Sequence, residues 1–201
     1  DGLGTISYQW LADGVNISGA TASTLTLTQA QVGKAITVTA SYTDAFGQAE
    51  SVTSTATAAI ANINDLPTGS VTISGTATQG QVLTAANTLA DLDGLGEISY
   101  QWIADGVNIS GATGATLTLA QAQVGKTITV IANYTDAQGT AESKTSLASA
   151  TVANVNDAPT GSVTISGIAT QGQVLTASNT LADADGLGAI GYQWEADGVN
   201  I

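Results

Sequence analysis

The 201-residue chain has no cysteine, histidine, methionine or arginine, and Lys34, Lys126 and Lys144 are its only cations. Without histidine and cysteine there is no imidazole-based triad, no thiolate nucleophile and no common zinc site. Paired carboxylates can hydrolyse glycosides, but that chemistry needs a cleft, and the acids here fall in short loops. No glycine-rich phosphate loop opens a helix. The expectation is a non-enzyme. Three cations against 16 acids leave a net charge of −13, which excludes nucleic acid as a partner, because phosphate binding needs clustered Lys and Arg. The same shortage disfavours an anionic membrane surface, and no direct membrane insertion is expected. The lack of cysteine also removes disulfides as the staple of a secreted domain. Another form of cross-link would then be useful, and surplus acid suggests metal ions.

What the chain does have is Thr, Ser, Ala, Val and Gly in abundance, with a hydrophobic fraction of 43%. Low charge density and many β-branched residues argue for an ordered β protein. It also has a repeat. Trp10, Trp102 and Trp194 are each 92 residues apart, as are Pro67 and Pro159, and residues 1–66 match residues 93–158 at 49 of 66 positions without a gap. The expected domains are a partial repeat over 1–66 lacking strands A and B, a complete repeat over 67–158, and a partial repeat over 159–201 holding strands A to C. The chain reads as a window onto a longer array. Arrays of near-copies act through length and joint stiffness, whereas copying a catalytic apparatus head to tail gains little.

Within the complete repeat, Val71 and Ile73 alternate with hydroxyl residues, and Gln81 to Ala85 follow a turn, giving candidate strands A and B. Residues 91–96 form a loop, and Ile98, Tyr100 and Trp102 alternate along strand C. Ala104-Asp105-Gly106 turns tightly into a short strand at Val107 to Ile109. Thr116 to Leu119 is strand E, residues 120–125 a helical corner, Ile128 to Tyr134 strand F, and strand G runs on towards Asn154. About seven strands in roughly 90 residues, with one Trp on strand C, outline an immunoglobulin-like sandwich. The predicted fold class is all-β, as tandem immunoglobulin-like β-sandwich repeats with a period of 92 residues.

The run from Pro67-Thr-Gly-Ser-Val-Thr-Ile-Ser-Gly75 through Tyr100-Gln-Trp102, Asp105-Gly106, Val124-Gly125 and Tyr134-Thr-Asp136 to Asn154-Val-Asn-Asp-Ala-Pro159 closely resembles the tandem Ig-like repeats of large bacterial surface adhesins, often calcium-dependent proteins of the RTX kind. The resemblance covers the whole chain. The Asn-x-Asn-Asp-x-Pro joints, Asn62 to Pro67 and Asn154 to Pro159, also look like the calcium-binding linker of cadherins, with Asn where the cadherin linker opens on a further acid. The family implies an extracellular stalk at the bacterial cell surface that supports adhesion and biofilm formation. Its partners would be the neighbouring repeats of the same chain, with host glycans or proteins met through other domains.

Sandwich geometry sharpens the metal expectation. The start of strand A, the B–C loop and the F–G loop of an Ig-like fold lie at one pole. Asn62, Asn64 and Asp65 should therefore meet Asp91 and Asp93, with Asp136 and Glu142 nearby. Five carboxylates at one pole repel unless a cation intervenes, and hard oxygen ligands without His or Cys select Ca²⁺. The set recurs as Asn154, Asn156, Asp157, Asp183 and Asp185, while Asp1, Asp44 and Glu50 belong to the first repeat. Asp13 or Asp105 could add a ligand across a joint, although an Ala-Asp-Gly turn explains them, and Asp197, better. Trp102 is expected in the core, Tyr42 and Tyr134 are expected as core or corner residues, and Lys34 and Lys126 are expected to be solvated. Two other roles fit the pattern: a glycan- or protein-binding module acting multivalently, or an extracellular fibre subunit in which one chain's A and B strands complete another chain by strand addition.

Overall fold

The computed structural model describes residues 4–201; Asp1 lies outside them. The chain is all-β, in antiparallel sheets joined by turns and two single 3-10 turns, at Gln29–Gln31 and Gln121–Gln123. Among the described residues no helix is long and apolar enough to cross a membrane. Two compact units divide the chain. One comprises residues up to 69 with 89–98 and 133–143, and the other comprises 70–88, 99–132 and 144–201.

The first unit contains β1 (Ser7–Ala12), β2 (Val15–Asn16), β3 (Ile36–Thr43) and β4 (Ala49–Thr53) in the order β2-β1-β3-β4. Register follows from the turn. Asp13 and Gly14 are the whole connection between β1 and β2, both with positive φ, 48° and 79°. That is the backbone of a two-residue hairpin whose twist matches its strands. Asp13 tolerates the conformation because its Oδ1 accepts the Ala35 N–H at 2.9 Å. The same turn recurs at Asp105-Gly106 and Asp197-Gly198. Asp105 Oδ1 accepts both the N–H and the hydroxyl of Thr127 at 2.9 Å. These bonds, the backbone one foremost, hold its carboxyl below the ordinary range. Asp13 and Asp105 are thus turn residues.

The remaining strands are β5 (Val71–Ser74), β6 (Val82–Asn87), β7 (Ser99–Ala104), β8 (Val107–Asn108), β9 (Thr116–Thr118), β10 (Ile128–Thr135) and β11 (Ala141–Thr145), then β12 (Val163–Gly167), β13 (Leu175–Asn179), β14 (Glu195–Ala196) and β15 (Val199–Asn200). They form a three-stranded sheet β5-β6-β9, a four-stranded sheet β11-β10-β7-β8, and the hairpins β12-β13 and β14-β15. Val71, Leu83, Ala85 and Leu117 from the first sheet and Trp102, Ile128, Val130 and Ala132 from the second are buried. Their period-two spacing places them on one face of each strand. Trp102 is completely enclosed, and its indole N–H donates to the Gly114 carbonyl at 2.9 Å, as a buried indole requires. Asn87 donates to the Tyr100 hydroxyl at 2.7 Å.

Two strands differ from the reading of the sequence. Strand G stops at Thr145, and the chain beyond bonds β10 only at every third residue, Ser146 to Val130 and Ser149 to Ile128. The hydroxyls of Ser146 and Ser149 return the missing acceptors to the N–H groups of Val130 and Ile128, so side chains replace a ladder there. In the last repeat strand C is reduced: Tyr192 to Trp194 form no strand, and Glu195–Ala196 pairs with Val199–Asn200.

The chain also closes on the 3-10 turns. Gly125 N–H donates to Val152 O and Val152 N–H to Lys126 O; Gly33, Ile60 and Lys34 repeat the pattern. Thr28 and Ala120 N–H groups are each capped by the Oε1 of a Gln three residues on, Gln31 and Gln123.

Gly96 meets strand F so closely that a Cβ would lie 1.9 Å from the Thr135 carbonyl oxygen, whereas Gly125, at φ +77°, faces open space. Gly96→Ala is therefore expected to destabilise the fold by about 2 kcal/mol or more, and Gly125→Ala by about 1 kcal/mol. Thermal melting of the two variants measures the difference.

Candidate functional site

The segment from Asn62 to Asp65 is irregular backbone and must satisfy its polar groups through side chains. Asp93 does most of this. Its side chain is 2% exposed; Oδ2 accepts the Asp65 N–H at 2.7 Å and Oδ1 accepts the Gln29 amide at 2.8 Å. Gln29 reaches it from the first 3-10 turn, 64 residues away in sequence. Asn64 donates to Glu142 Oε1 at 2.7 Å.

Asp91 shapes the loop beneath. Its Oδ1 accepts the Asp93 N–H at 2.8 Å, and Gly94 follows at φ 98°. Its Oδ2 takes a bond of 2.5 Å from the hydroxyl of buried Tyr134. Burial of the phenol, the bond to Asp91 and the charges of Asp91, Glu142 and Asp136 together push the Tyr134 pKa far above its ordinary value. Asp136 turns the neighbouring hairpin: Oδ1 accepts from the N–H groups of Gln138 and Thr140 at 2.9 and 2.7 Å. Asp136 is 5% exposed and its Oδ2 is buried with no hydrogen-bond partner. Asn62 Oδ1 is likewise buried and unpartnered.

The second unit builds the same arrangement from the later acids. Asp185 Oδ2 accepts the Asp157 N–H at 2.8 Å, and Oδ1 accepts the Asn154 amide at 2.8 Å and the Gln121 amide at 3.3 Å. These bonds, the backbone one first, hold the Asp185 carboxyl below the usual carboxylate range. Asp183 Oδ1 accepts the Asp185 N–H at 2.9 Å. Gln79 donates to Asp157 Oδ2 at 2.8 Å and accepts from the Val155 N–H at 3.1 Å. Asn156 folds back to the Asp157 carbonyl.

No protein-family model matches the chain, and no curated protein matches it.

Of the acids expected at one pole, Asp93 and Glu142 bond the first linker and Asp185 the second, while Asp91, Asp136 and Asp183 accept donors from their own loops or from Tyr134. Among the described residues no group of three or more acidic side chains gathers to hold a metal ion; instead Asp65 and Asp91 line one shallow cleft with Leu66, Thr68, Ala90 and Leu92. N–H and O–H donors, chiefly amides, occupy most of the carboxylate oxygens, which separates like charges that would otherwise repel. The unpartnered Asp136 Oδ2 and Asn62 Oδ1 remain as hard oxygen acceptors without donors, and they suit a hard cation such as Ca²⁺. Asp44 serves only its own turn, accepting from Phe46 and Gln48. The sequence reading did not single out Gln29, Gln79 and Gln121. The only trace of Gln29 and Gln121 is the Gln-Ala-Gln tripeptide at the same place in two repeats.

Two outcomes follow. Asp93→Ala leaves the Asp65 N–H and the Gln29 amide without their acceptor and is expected to destabilise the fold by about 3 kcal/mol, with accelerated hydrogen exchange at the Asp65 amide. In an ultraviolet titration, Tyr134 is expected to resist ionisation at pH values well above the ordinary tyrosine pKa. Because its pKa is raised by folding, its stabilising contribution is complete below the ordinary tyrosine pKa of 10.0 and is lost as pH rises beyond it.

Proposed function

We propose that the chain is a run of extender modules from the stalk of a bacterial cell-surface or secreted adhesin, outside the cell, with calcium stiffening its joints. The observation that carries this reading is the paired design of the linkers. Asp65 and Asp157, at corresponding places in two near-identical repeats, each give their N–H to a carboxylate 28 residues ahead, Asp93 and Asp185. A sequence that repeats its joint along with its domain is one in which the joint matters, and spacing and stiffness are what such a joint sets.

The residues that would hold the ion at the first joint are Asn62, Asn64, Asp65, Asp91, Asp93 and Asp136, with the unpartnered Asp136 Oδ2 and Asn62 Oδ1 as first ligands. At the second they are Asn154, Asn156, Asp157, Asp183 and Asp185. Calcium, when bound, would supply positive charge that offsets the carboxylates of the linker and of the loops that face it. The chain's own part is to fix the linker through the Asp93 and Asp185 hydrogen bonds, so that the oxygens are already ordered when the ion arrives. Extracellular modules bind calcium with dissociation constants of about 10⁻⁴ to 10⁻³ M, so the ion would load outside the cell and not in the cytosol. The reading assigns no reaction to the chain. Its partners are the neighbouring repeats, and the adhesive target belongs to other domains.

Calorimetric melting of the 201-residue chain in calcium and in chelator tests the proposal. With calcium at a hundredfold excess over the dissociation constant, stabilisation of about 2.7 kcal/mol is expected, and Asp136→Asn should remove most of it at the first joint. Superimposable melts with and without calcium would overturn the calcium part of the reading. Scattering profiles that do not change on chelation would overturn the stiffening.

A further inference from the structure

The tripeptide Asn-Ile-Ser occurs at residues 16–18 and again at 108–110, one repeat further on. Asn-x-Ser is the acceptor pattern for an N-linked sugar, and it is short enough to arise without a role. The fold presents these two copies in a way that coincidence does not require. Asn108 ends the edge strand β8, which pairs with β7 on one side only. Ile109 continues that pairing: its N–H donates to the Trp102 carbonyl at 2.9 Å, and its own carbonyl accepts the Gln101 amide at 3.0 Å and the Ala112 N–H at 3.1 Å. Ile109 is half-buried, whereas Asn108 and Ser110 on either side of it are exposed. Alternate residues of an extended chain share a face, so the central residue anchors the tripeptide and leaves the amide and the hydroxyl together in solvent. Asn16, Ile17 and Ser18 repeat every part of this. They have the same exposure, Ile17 N–H donates to Trp10 O at 2.9 Å, and Ile17 O accepts from Gln9 at 2.9 Å and Ala20 at 3.1 Å.

The two asparagines are also chemically free. The amides of Asn64, Asn87, Asn154 and Asn156 each donate a hydrogen bond. Among the described residues the side chains of Asn16, Ser18, Asn108 and Ser110 make none. A third match to the pattern, Asn133-Tyr134-Thr135, provides the contrast. It lies in β10, a strand paired on both sides, with Asn133 half-buried and Tyr134 5% exposed, and the first repeat has Ser41 in the place of Asn133.

We propose that Asn16 and Asn108 are acceptors for an N-linked sugar, at the same place in two repeats. The donor is a sugar activated at its anomeric carbon through a diphosphate, carried on a nucleoside or on a lipid. The asparagine side-chain nitrogen attacks that carbon, and a C–N bond forms as the C–O bond to the diphosphate breaks. The nucleoside or lipid diphosphate leaves, and the nitrogen gives up one proton to the transferase. The hydroxyl two residues on is part of what the transferase recognises. A bulky hydrophilic group here also guards an open sheet edge: Val15 and Val107, beside the two asparagines in β2 and β8, are 70% and 71% exposed, and an unpaired edge invites another chain to pair with it. This goes beyond the stalk reading and does not depend on calcium.

Mass spectrometry of the folded 201-residue chain, intact and as peptides, tests it after incubation in two arms. One contains a soluble asparagine glycosyltransferase with UDP-glucose, the other an oligosaccharyltransferase with a lipid-diphosphate-linked oligosaccharide. Two additions per chain are expected in at least one arm, at Asn16 and Asn108 and not at Asn133, and the arm that reacts identifies the carrier. Asn108→Gln should reduce two additions to one. Ser110→Ala should do the same with Asn108 still present, and Ser110→Thr should retain both. All three changes fall at exposed side chains, so thermal melting should not move. No addition in either arm, addition only after unfolding in urea, equal addition at Asn133, or modification of Asn108 that survives Ser110→Ala would overturn the proposal. Calcium-independent melting would leave it intact, so the two readings fail separately.

Discussion

A sheet with one apolar face is stable only when something covers that face, and this constraint governs the molecule. Between the sheets β5-β6-β9 and β11-β10-β7-β8 the cover is close: Trp102, Ile128 and Val130 are fully enclosed, with Val71 and Leu83 from the facing hairpin almost as deeply buried. Burying each such side chain contributes roughly 1.5–3 kcal/mol relative to exposure, which is how a chain without disulfides or a large aromatic content holds a sandwich together. Elsewhere the same residue types stand half open. The turns, caps and serine substitutions for a ladder are secondary to that difference in cover.

Hydrogen bonding takes over where apolar burial ends. The linker has no ladder of its own, so its N–H groups go to carboxylates, and those carboxylates take further donors from glutamine amides. Charge-assisted bonds of this kind are stronger than neutral ones. Two carboxylates close together repel less when each is bound by amides, and the acidic character of the chain is accommodated in this way without a basic residue in either cluster. Asp136, Asn62 and Gln121 are the exceptions among the described residues, each with a buried oxygen lacking a donor.

Much of this was legible in the sequence because it depends on short-range rules. Alternation marked β5, β7 and β10, and Asp-Gly marked the two-residue hairpins, since few residues but Asn, Asp and Gly accept positive φ. The inward position of Trp102 followed from period two. Long-range polar pairing was not legible. Nothing local connects Gln29 to Asp93 or Tyr134 to Asp91, because those bonds exist only once the tertiary fold has brought the loops together. Strand G was read too long because Ser146 and Ser149 look like strand residues, while their hydroxyls serve as acceptors where the ladder lapses. The dispersal of the acids among separate donors, where one shared focus was anticipated, has the same origin.

The bonds around Gly33 and Gly125 bear on resistance to proteolysis. A protease of trypsin's specificity needs Lys or Arg, and this chain offers only Lys34, Lys126 and Lys144. Lys34 and Lys126 have their N–H and carbonyl groups tied to Gln31 and Ile60, and to Gln123 and Val152, and Lys144 lies within β11. A scissile peptide must leave such pairing and extend into the enzyme's cleft before it can be cut, so digestion at these three points requires local opening first.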